Sequence, residues 1–133
     1  MLFTGNLNDV EMLITNKKSN INIDEIWYIV RSLKPFKNIP GIISKHCPSL
    51  SPSKELFFWK ESLRRNNKWN KQIFDEEFTP KFLKEMENTE AASSLKELKI
   101  LSNKKNILLI CYCSREDMCH RSLIKKIIEN KKT

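Results

Sequence analysis

A continuous apolar run near the end of the chain constrains its fold more than any other feature. Residues 107–111 read Ile-Leu-Leu-Ile-Cys, which is typical of a parallel strand buried on both faces. A polar loop follows over residues 114–118, and apolar side chains then recur over residues 123–128 with the spacing of one helical face. A strand, a short loop and an amphipathic helix in this order predict an α/β fold.

Earlier segments repeat the same kinds of pattern. Residues 2–4 predict a short strand, and residues 26–30, which are β-branched and aromatic throughout, predict a buried one. Apolar residues at helical spacing predict four more helices, over residues 7–14, 56–63, 78–86 and 91–101.

Two local features refine these boundaries. Ser53 is a candidate N-cap for the helix over residues 56–63. Four prolines punctuate residues 34–53 and predict an irregular stretch there. We expect one α/β domain over residues 1–133, with a small, mainly parallel sheet, flanking helices and Rossmann-like character.

The charge balance invites comparison with nucleic-acid-binding proteins. The chain carries 24 Lys and Arg against 16 Asp and Glu, which gives a formal net charge of +8. Clustered cations bind polyanions with a gain from counterion release. Here most cations are lysines dispersed along an Ile- and Asn-rich chain, a composition that A+T-rich codons produce without selection for binding.

The sequence also suggests a cellular location. It has no run of about 18 apolar residues that could form a membrane helix, and residues 1–15 lack the features of a secretory signal. We expect a cytoplasmic protein without a membrane partner. In that reducing compartment the cysteines are expected as free thiols, reactive groups or metal ligands rather than disulfides. They are Cys47, Cys111, Cys113 and Cys119.

The densest group of reactive residues lies between Cys111 and Arg121. In a parallel sheet this segment follows the carboxyl end of the last strand, where open α/β sheets bind ligands. With Cys119 to Ser122 as the first turn of the last helix, unpaired N–H groups and the macrodipole favour an anion. Arg121 adds a bidentate donor. The same position predicts a lowered pKa and a nucleophilic thiolate for Cys119, with His120 as acid or base.

Other strand ends supply further candidate ligand contacts. Arg31 and Lys34 follow the second strand and Asn6 follows the first, so parallel strands would bring them to the edge that holds Arg121. Tyr112 could stack on a base or hydrogen-bond a ligand. We therefore assign ligand binding to six residues: Arg121, Arg31, Asn6, Tyr112, Cys111 and Ser122.

These residues carry a resemblance to a known family. The run from Ile107 to Tyr112, followed by Cys119-His120-Arg121-Ser122-Leu123, resembles the hallmark of the domain of unknown function 488 family, which includes the YeaO-like proteins. Three earlier blocks are similar to that family in the same order. They are Phe3-Thr4-Gly5-Asn6, Leu50-Ser51-Pro52-Ser53-Lys54-Glu55-Leu56, and Glu77-Phe78-Thr79 with Phe82.

The resemblance implies a small α/β domain of bacteria and their viruses, without an established general activity. Its Cys-His-Arg group, here Cys119-His120-Arg121, is the suspected site. The family commonly has an acidic residue two positions after the strand cysteine, where this chain has Cys113. That difference leaves no carboxylate at this position for acid–base chemistry, and Glu116 and Asp117 are the nearest substitutes.

Two alternative functions use the same chain. Three pairs of soft or borderline donors, His46-Cys47, Cys111-x-Cys113 and Cys119-His120, would suffice for a tetrahedral zinc site in an interaction domain without catalysis. If Cys111 and Cys113 both lay within the strand, however, they would point to opposite faces. A basic nucleic-acid-binding module is the other alternative. It would use the residues Arg64, Arg65, Lys68, Trp69 and Lys71.

The favoured prediction is a domain that binds a small phosphorylated or nucleotide-like ligand at the last strand–loop–helix junction. If the domain is an enzyme, it would be a hydrolase or transferase with Cys119 and His120 as its reactive groups. This prediction includes no metal and no cofactor, and it leaves the oligomeric state open.

Overall fold

The sheet consists of four parallel strands. A computed structural model describes residues 1–6, 10, 22–32, 41–113 and 115–130, without the side chain of residue 130. In these ranges the strand order is β1-β4-β2-β3, and every neighbouring pair is parallel. The strands are β1 (Leu2–Asn6), β2 (Glu25–Tyr28), β3 (Ile43–His46) and β4 (Ile107–Cys111). The α/β fold class with a small parallel sheet is confirmed.

The apolar run over residues 107–111 is the inner strand β4. All five of its residues are buried. Ile107 pairs with Leu2 on one side and with Glu25 on the other. A strand with neighbours on both sides and helices over the sheet faces meets no water, which explains why its sequence contains no polar residue.

Five α-helices flank the sheet within the described residues. They are α1 (Lys54–Arg65), α2 (Lys71–Ile73), α3 (Thr79–Glu85), α4 (Thr89–Ser102) and α5 (His120–Asn130). Short 3-10 turns occur at Pro48–Leu50 and Glu116–Met118. None of these helices combines the length and apolarity needed to cross a membrane.

The helix starts follow local capping rules. The side chain of Ser53 accepts a hydrogen bond from the backbone N–H of Leu56 at 3.1 Å, so the predicted N-cap of α1 is confirmed. Asn88 caps α4 in the same way, accepting from the N–H of Ala91 at 2.8 Å. Both caps satisfy donors that a helix leaves unpaired at its first turn.

The prediction of an irregular stretch over residues 34–53 is wrong in part, because it contains β3. None of the residues of β3 is buried, and the strand pairs only with β2 at the sheet edge. An edge strand needs no apolar run, and the prolines of this stretch lie outside it. The predicted helix over residues 7–14, except for the buried Val10, and Lys34 lie outside the described residues.

Thr79-Pro80 continues a helical segment rather than starting a new helix. Asn70 caps α2, and a π-helical turn, Phe74–Phe78, joins α2 to α3. Thr79 Oγ1 donates to the carbonyl of Phe74 at 2.8 Å. The wider π turn lets the chain continue through a proline that lacks an N–H.

An aromatic stack from this helical segment supports the carboxyl edge of the sheet. Phe74, Phe78 and Phe82 are buried, and their neighbouring ring centroids lie 5.4 and 6.0 Å apart in nearly parallel planes. Phe82 also contacts the ring of His120 at a centroid distance of 5.7 Å. The stack therefore joins the helical layer to the start of α5.

The stack yields a stability prediction. Phe82 is fully buried, so Phe82→Ala should destabilise the fold by about 3–5 kcal/mol through lost burial and a residual cavity. Phe58, which is 63% exposed, provides the same chemical change as a control and should cost less than about 0.5 kcal/mol. Urea unfolding midpoints measure both changes, and equal losses would contradict this account of the core.

Candidate functional site

Four side chains with metal-ligating or nucleophilic atoms meet at the carboxyl edge of the sheet. Cys111 ends β4, Cys113 follows it in the loop, Cys119 directly precedes α5, and His120 is the first residue of α5. One sulfur or ring nitrogen from each lies within 4.8 Å of the others. We call these four residues the thiol–imidazole cluster.

His120 is held in one orientation. Its Nε2 lies 2.7 Å from the carbonyl oxygen of Ile29, just beyond β2, and its Nδ1 lies 3.6 Å from Cys119 Sγ. Burial lowers the pKa of His120, so the ring is neutral near pH 7. A carbonyl only accepts, so Nε2 carries the proton and the lone pair of Nδ1 faces the sulfurs.

Arg121 lies inside the junction rather than at its surface. The residue is 2% exposed, and its Nη1 donates to the carbonyl of Cys113 at 2.8 Å and to Cys111 Sγ at 3.0 Å. Its Nε is buried and has no hydrogen-bond partner among the described residues. The guanidinium therefore binds the loop and a cluster sulfur directly.

The prediction that Cys119 has a lowered pKa is wrong. Burial raises its pKa well above the ordinary value, and hydrogen bonds with Cys111 and Cys113 raise it further. The helix includes His120 but starts after Cys119, whose sulfur is fully buried. Desolvation of a thiolate outweighs the favourable field of a helix terminus at this position.

Cys113 is the cysteine whose thiolate is favoured. Hydrogen bonds from Cys111 and Cys119 lower its pKa, and the positive charge of Lys60 lowers it further. Lys60 reaches from α1 and places Nζ 3.6 Å from Cys113 Sγ. The hydrogen bond with Cys113 is the chief cause that raises the pKa of Cys111 to about 11, while the hydrogen bond with Cys119 acts in the opposite direction.

The sequence placed Cys113 among the donors of the zinc alternative but indicated neither its favoured thiolate nor a role for Lys60. Within one strand, Cys111 and Cys113 would point to opposite faces. The strand instead ends at Cys111, so the chain turns and brings both sulfurs to the same cluster. The polar residues after Cys113 were the available signal for that early end. No local pattern connects Lys60 to this loop.

The remaining predicted ligand contacts lie along the same edge. Arg31 donates to the carbonyl of Pro52 through two nitrogens, at 2.8 and 3.1 Å. The hydroxyl of Tyr112 donates to the carbonyl of Ser32 at 2.9 Å. Ser122 Oγ donates to the carbonyl of Cys119 at 2.7 Å. Asn6 ends β1 and is half-buried.

His46 and Cys47, the third donor pair of the zinc alternative, do not join the cluster. His46 Nε2 donates to the carbonyl of Val30 at 2.7 Å, and Cys47 Sγ lies 3.4 Å from Ser49 Oγ. Among the described residues, the thiol–imidazole cluster is the one group of three or more metal-ligating side chains that lie close enough to share an ion.

A cavity of about 360 Å³ opens beyond the carboxyl ends of β2 and β3, and Arg31 is the one predicted ligand contact among its lining residues. Two cations, Arg31 and Lys84, and two carboxylates, Glu85 and Glu90, line it. Hydroxyl groups of three serines complete its polar wall, and they belong to Ser49, Ser51 and Ser53. We call this space the edge cavity.

The proposed nucleic-acid tract has other contacts in the structure. Trp69 packs edge-to-face against Trp59, Phe74 and Phe78, so its ring is part of the aromatic core. Lys71 pairs with Asp75 at 3.1 Å. The aromatic side chain of this tract therefore does not form an open stacking surface.

Fold and site together define a small Rossmann-like α/β domain with a Cys-His-Arg junction at its carboxyl edge. A family model described as the active DUF488-N3 subclade matches residues 12–132. The chain therefore belongs to the DUF488 family, as its sequence motifs indicated. Neither the curated proteins nor the solved structures give a significant match.

The cluster predicts an order of thiol reactivity. In reduced protein dialysed against a chelator, Cys113 should react first with iodoacetamide, because it is the least buried cysteine and its thiolate is favoured. Peptide mass spectrometry of a time course at pH 7 identifies the modified residue. Lys60→Met should slow this alkylation, whereas Lys126→Met, an exposed change on α5, should not. First labelling at Cys119 would refute this assignment.

Proposed function

We propose that the protein binds a small phosphorylated or nucleotide-like ligand in the edge cavity, whose lining includes Arg31 but no residue of the last strand–loop–helix junction. The observation that carries the proposal is the cavity itself. It lies beyond the carboxyl ends of parallel strands, where α/β sheets bind ligands, and its volume of about 360 Å³ suits a small metabolite.

The lining supports a ligand with both an anionic group and hydroxyl groups. Arg31 and Lys84 can pair with a phosphate. Glu90 lies in the first turn of α4 and lines the cavity, so the N-terminal end of this helix borders the same space. Glu85 already accepts hydrogen bonds from the N–H and the hydroxyl of Ser53. Carboxylates and serine hydroxyls are partners for sugar hydroxyls.

Binding of the ligand in the edge cavity does not require that the protein also hydrolyses or transfers it. Cys119 and His120, the predicted reactive groups, are buried and hydrogen-bonded within the protein. Hydrolysis or transfer of the bound ligand is the reaction that we propose to assay. Nucleoside monophosphates and sugar phosphates are the substrate classes that the cavity volume favours.

The proposal predicts a charge-dependent ligand response. A thermal-shift panel of nucleoside monophosphates and sugar phosphates should contain at least one compound that stabilises the wild type. Arg31→Ala and Lys84→Ala should each lower the affinity for that compound by about tenfold or more, because each removes a charge-assisted hydrogen bond. Lys126→Ala, remote from the cavity lining, is the matched control and should bind normally.

Two results would overturn the proposal. Stabilisation that survives both cavity variants would place the ligand elsewhere. Stabilisation by oligonucleotides alone, with a steep salt dependence and sensitivity to Lys68→Ala, would establish the nucleic-acid module instead.

A further inference from the structure

We infer that the thiol–imidazole cluster is a zinc site whose four ligands are Cys111, Cys113, Cys119 and His120. Three sulfurs and one imidazole nitrogen form a donor set typical of structural zinc. These atoms come from a strand end, a loop and a helix start, yet all lie within 4.8 Å of one another. Bonds of about 2.3 Å to sulfur and about 2.0 Å to nitrogen require donors at such separations.

The orientation of His120 is the second observation. Its Nε2–H donates to the carbonyl of Ile29 at 2.7 Å, which leaves the Nδ1 lone pair directed at the sulfurs. Metal-ligating histidines usually have this arrangement, with the second ring nitrogen bound to a carbonyl or carboxylate. Among the described residues, the thiols are the only hydrogen-bond donors that contact Nδ1 of His120.

Charge balance provides a third argument. Three thiolates and one Zn²⁺ carry a net charge of −1, which is costly to bury without a cation. Arg121 Nη1 lies 3.0 Å from Cys111 Sγ, and Lys60 Nζ lies 3.6 Å from Cys113 Sγ. Two cationic donors to cluster sulfurs, one of them nearly inaccessible to water, fit a site that is anionic when loaded.

A disulfide explains less of the cluster. Cys111 Sγ and Cys119 Sγ lie 2.6 Å apart, longer than an S–S bond of about 2.05 Å. A bond between them would use two of the four donors and leave Cys113 and the lone pair of His120 without a role. In a tetrahedral zinc site the distance between the two sulfurs would increase by about 1 Å, a change that rotation of either side chain can supply.

Four protein ligands make a closed coordination shell, which is the form of a structural site. Zinc binding would displace the remaining thiol protons to solvent and leave three thiolates on the ion. It would join the end of β4, the loop and the start of α5. This inference is independent of the edge cavity, because neither zinc nor its ligands line that space.

The test compares zinc content and cobalt spectra in three proteins. Wild type, Cys113→Ser and Cys47→Ser are reduced, stripped with a chelator, reloaded with one equivalent of zinc and desalted. Cys47 is a buried thiol outside the cluster and serves as the matched control. We expect about one zinc per chain in wild type and Cys47→Ser. Cys113→Ser should lose more affinity than the roughly 10–100-fold that loss of an outer-shell partner costs.

Co²⁺ reports on the coordination sphere independently of folding yield. Wild type and Cys47→Ser should give intense visible bands of tetrahedral geometry and a near-ultraviolet band from thiolate coordination, and Cys113→Ser should give altered bands. Zinc should raise the Tm of wild type and Cys47→Ser more than that of Cys113→Ser.

Three outcomes would overturn the inference. The first is reduced, folded wild type that retains no zinc after reloading. The second is a Cys113→Ser variant with the zinc affinity and cobalt spectrum of wild type. The third is a Cys111–Cys119 disulfide, found by mass spectrometry without reductant, in protein whose reduced form also fails to bind zinc. Loss of the ligand response in the edge cavity alone would leave the zinc result unchanged, so the two proposals fail separately.

Discussion

The position of β4 between β1 and β2 determines where the side chains of the thiol–imidazole cluster lie. Because all three strands are parallel, their carboxyl ends meet at one edge. Cys111 closes β4 at that edge, and the carbonyl of Ile29 becomes available one residue beyond β2. His120 then bonds that carbonyl from the start of α5, so one hydrogen bond fixes the last helix against the neighbouring strand. The thiol–imidazole cluster follows from this arrangement.

Within the cluster, solvation decides which thiol ionises. A helix terminus offers a nearby charge about 0.3–1 kcal/mol at an exposed position. Removing an ion from water costs several kcal/mol unless cations and donors replace the lost solvent. Cys119 is fully buried, and its pKa rises, whereas Cys113 receives Lys60 and two thiol donors, and its pKa falls. Sequence position next to a helix was therefore a poor guide to reactivity.

The fold could be predicted where the spacing of apolar residues indicated which side chains are buried. The apolar run of β4, the amphipathic pattern of α4 and the cap at Ser53 required no knowledge of distant contacts. β3 could not be recognised, because an edge strand without buried residues carries no apolar signal. Three cysteines in nine residues marked the candidate site. Which sulfurs converge depended on the end of β4 at Cys111, which the polar residues after Cys113 indicated, and on Lys60 from α1, which no local pattern indicated.

The segment over residues 29–31 connects the cluster to the edge cavity. The carbonyl of Ile29 accepts a hydrogen bond from His120, and the carbonyl of Val30 accepts one from His46 at the end of β3. Arg31 donates to the carbonyl of Pro52. Two peptide units thus separate the anchor of α5 from a cation that lines the cavity. Both proposed sites therefore use one short segment of chain after β2, although no residue of the thiol–imidazole cluster lines the edge cavity.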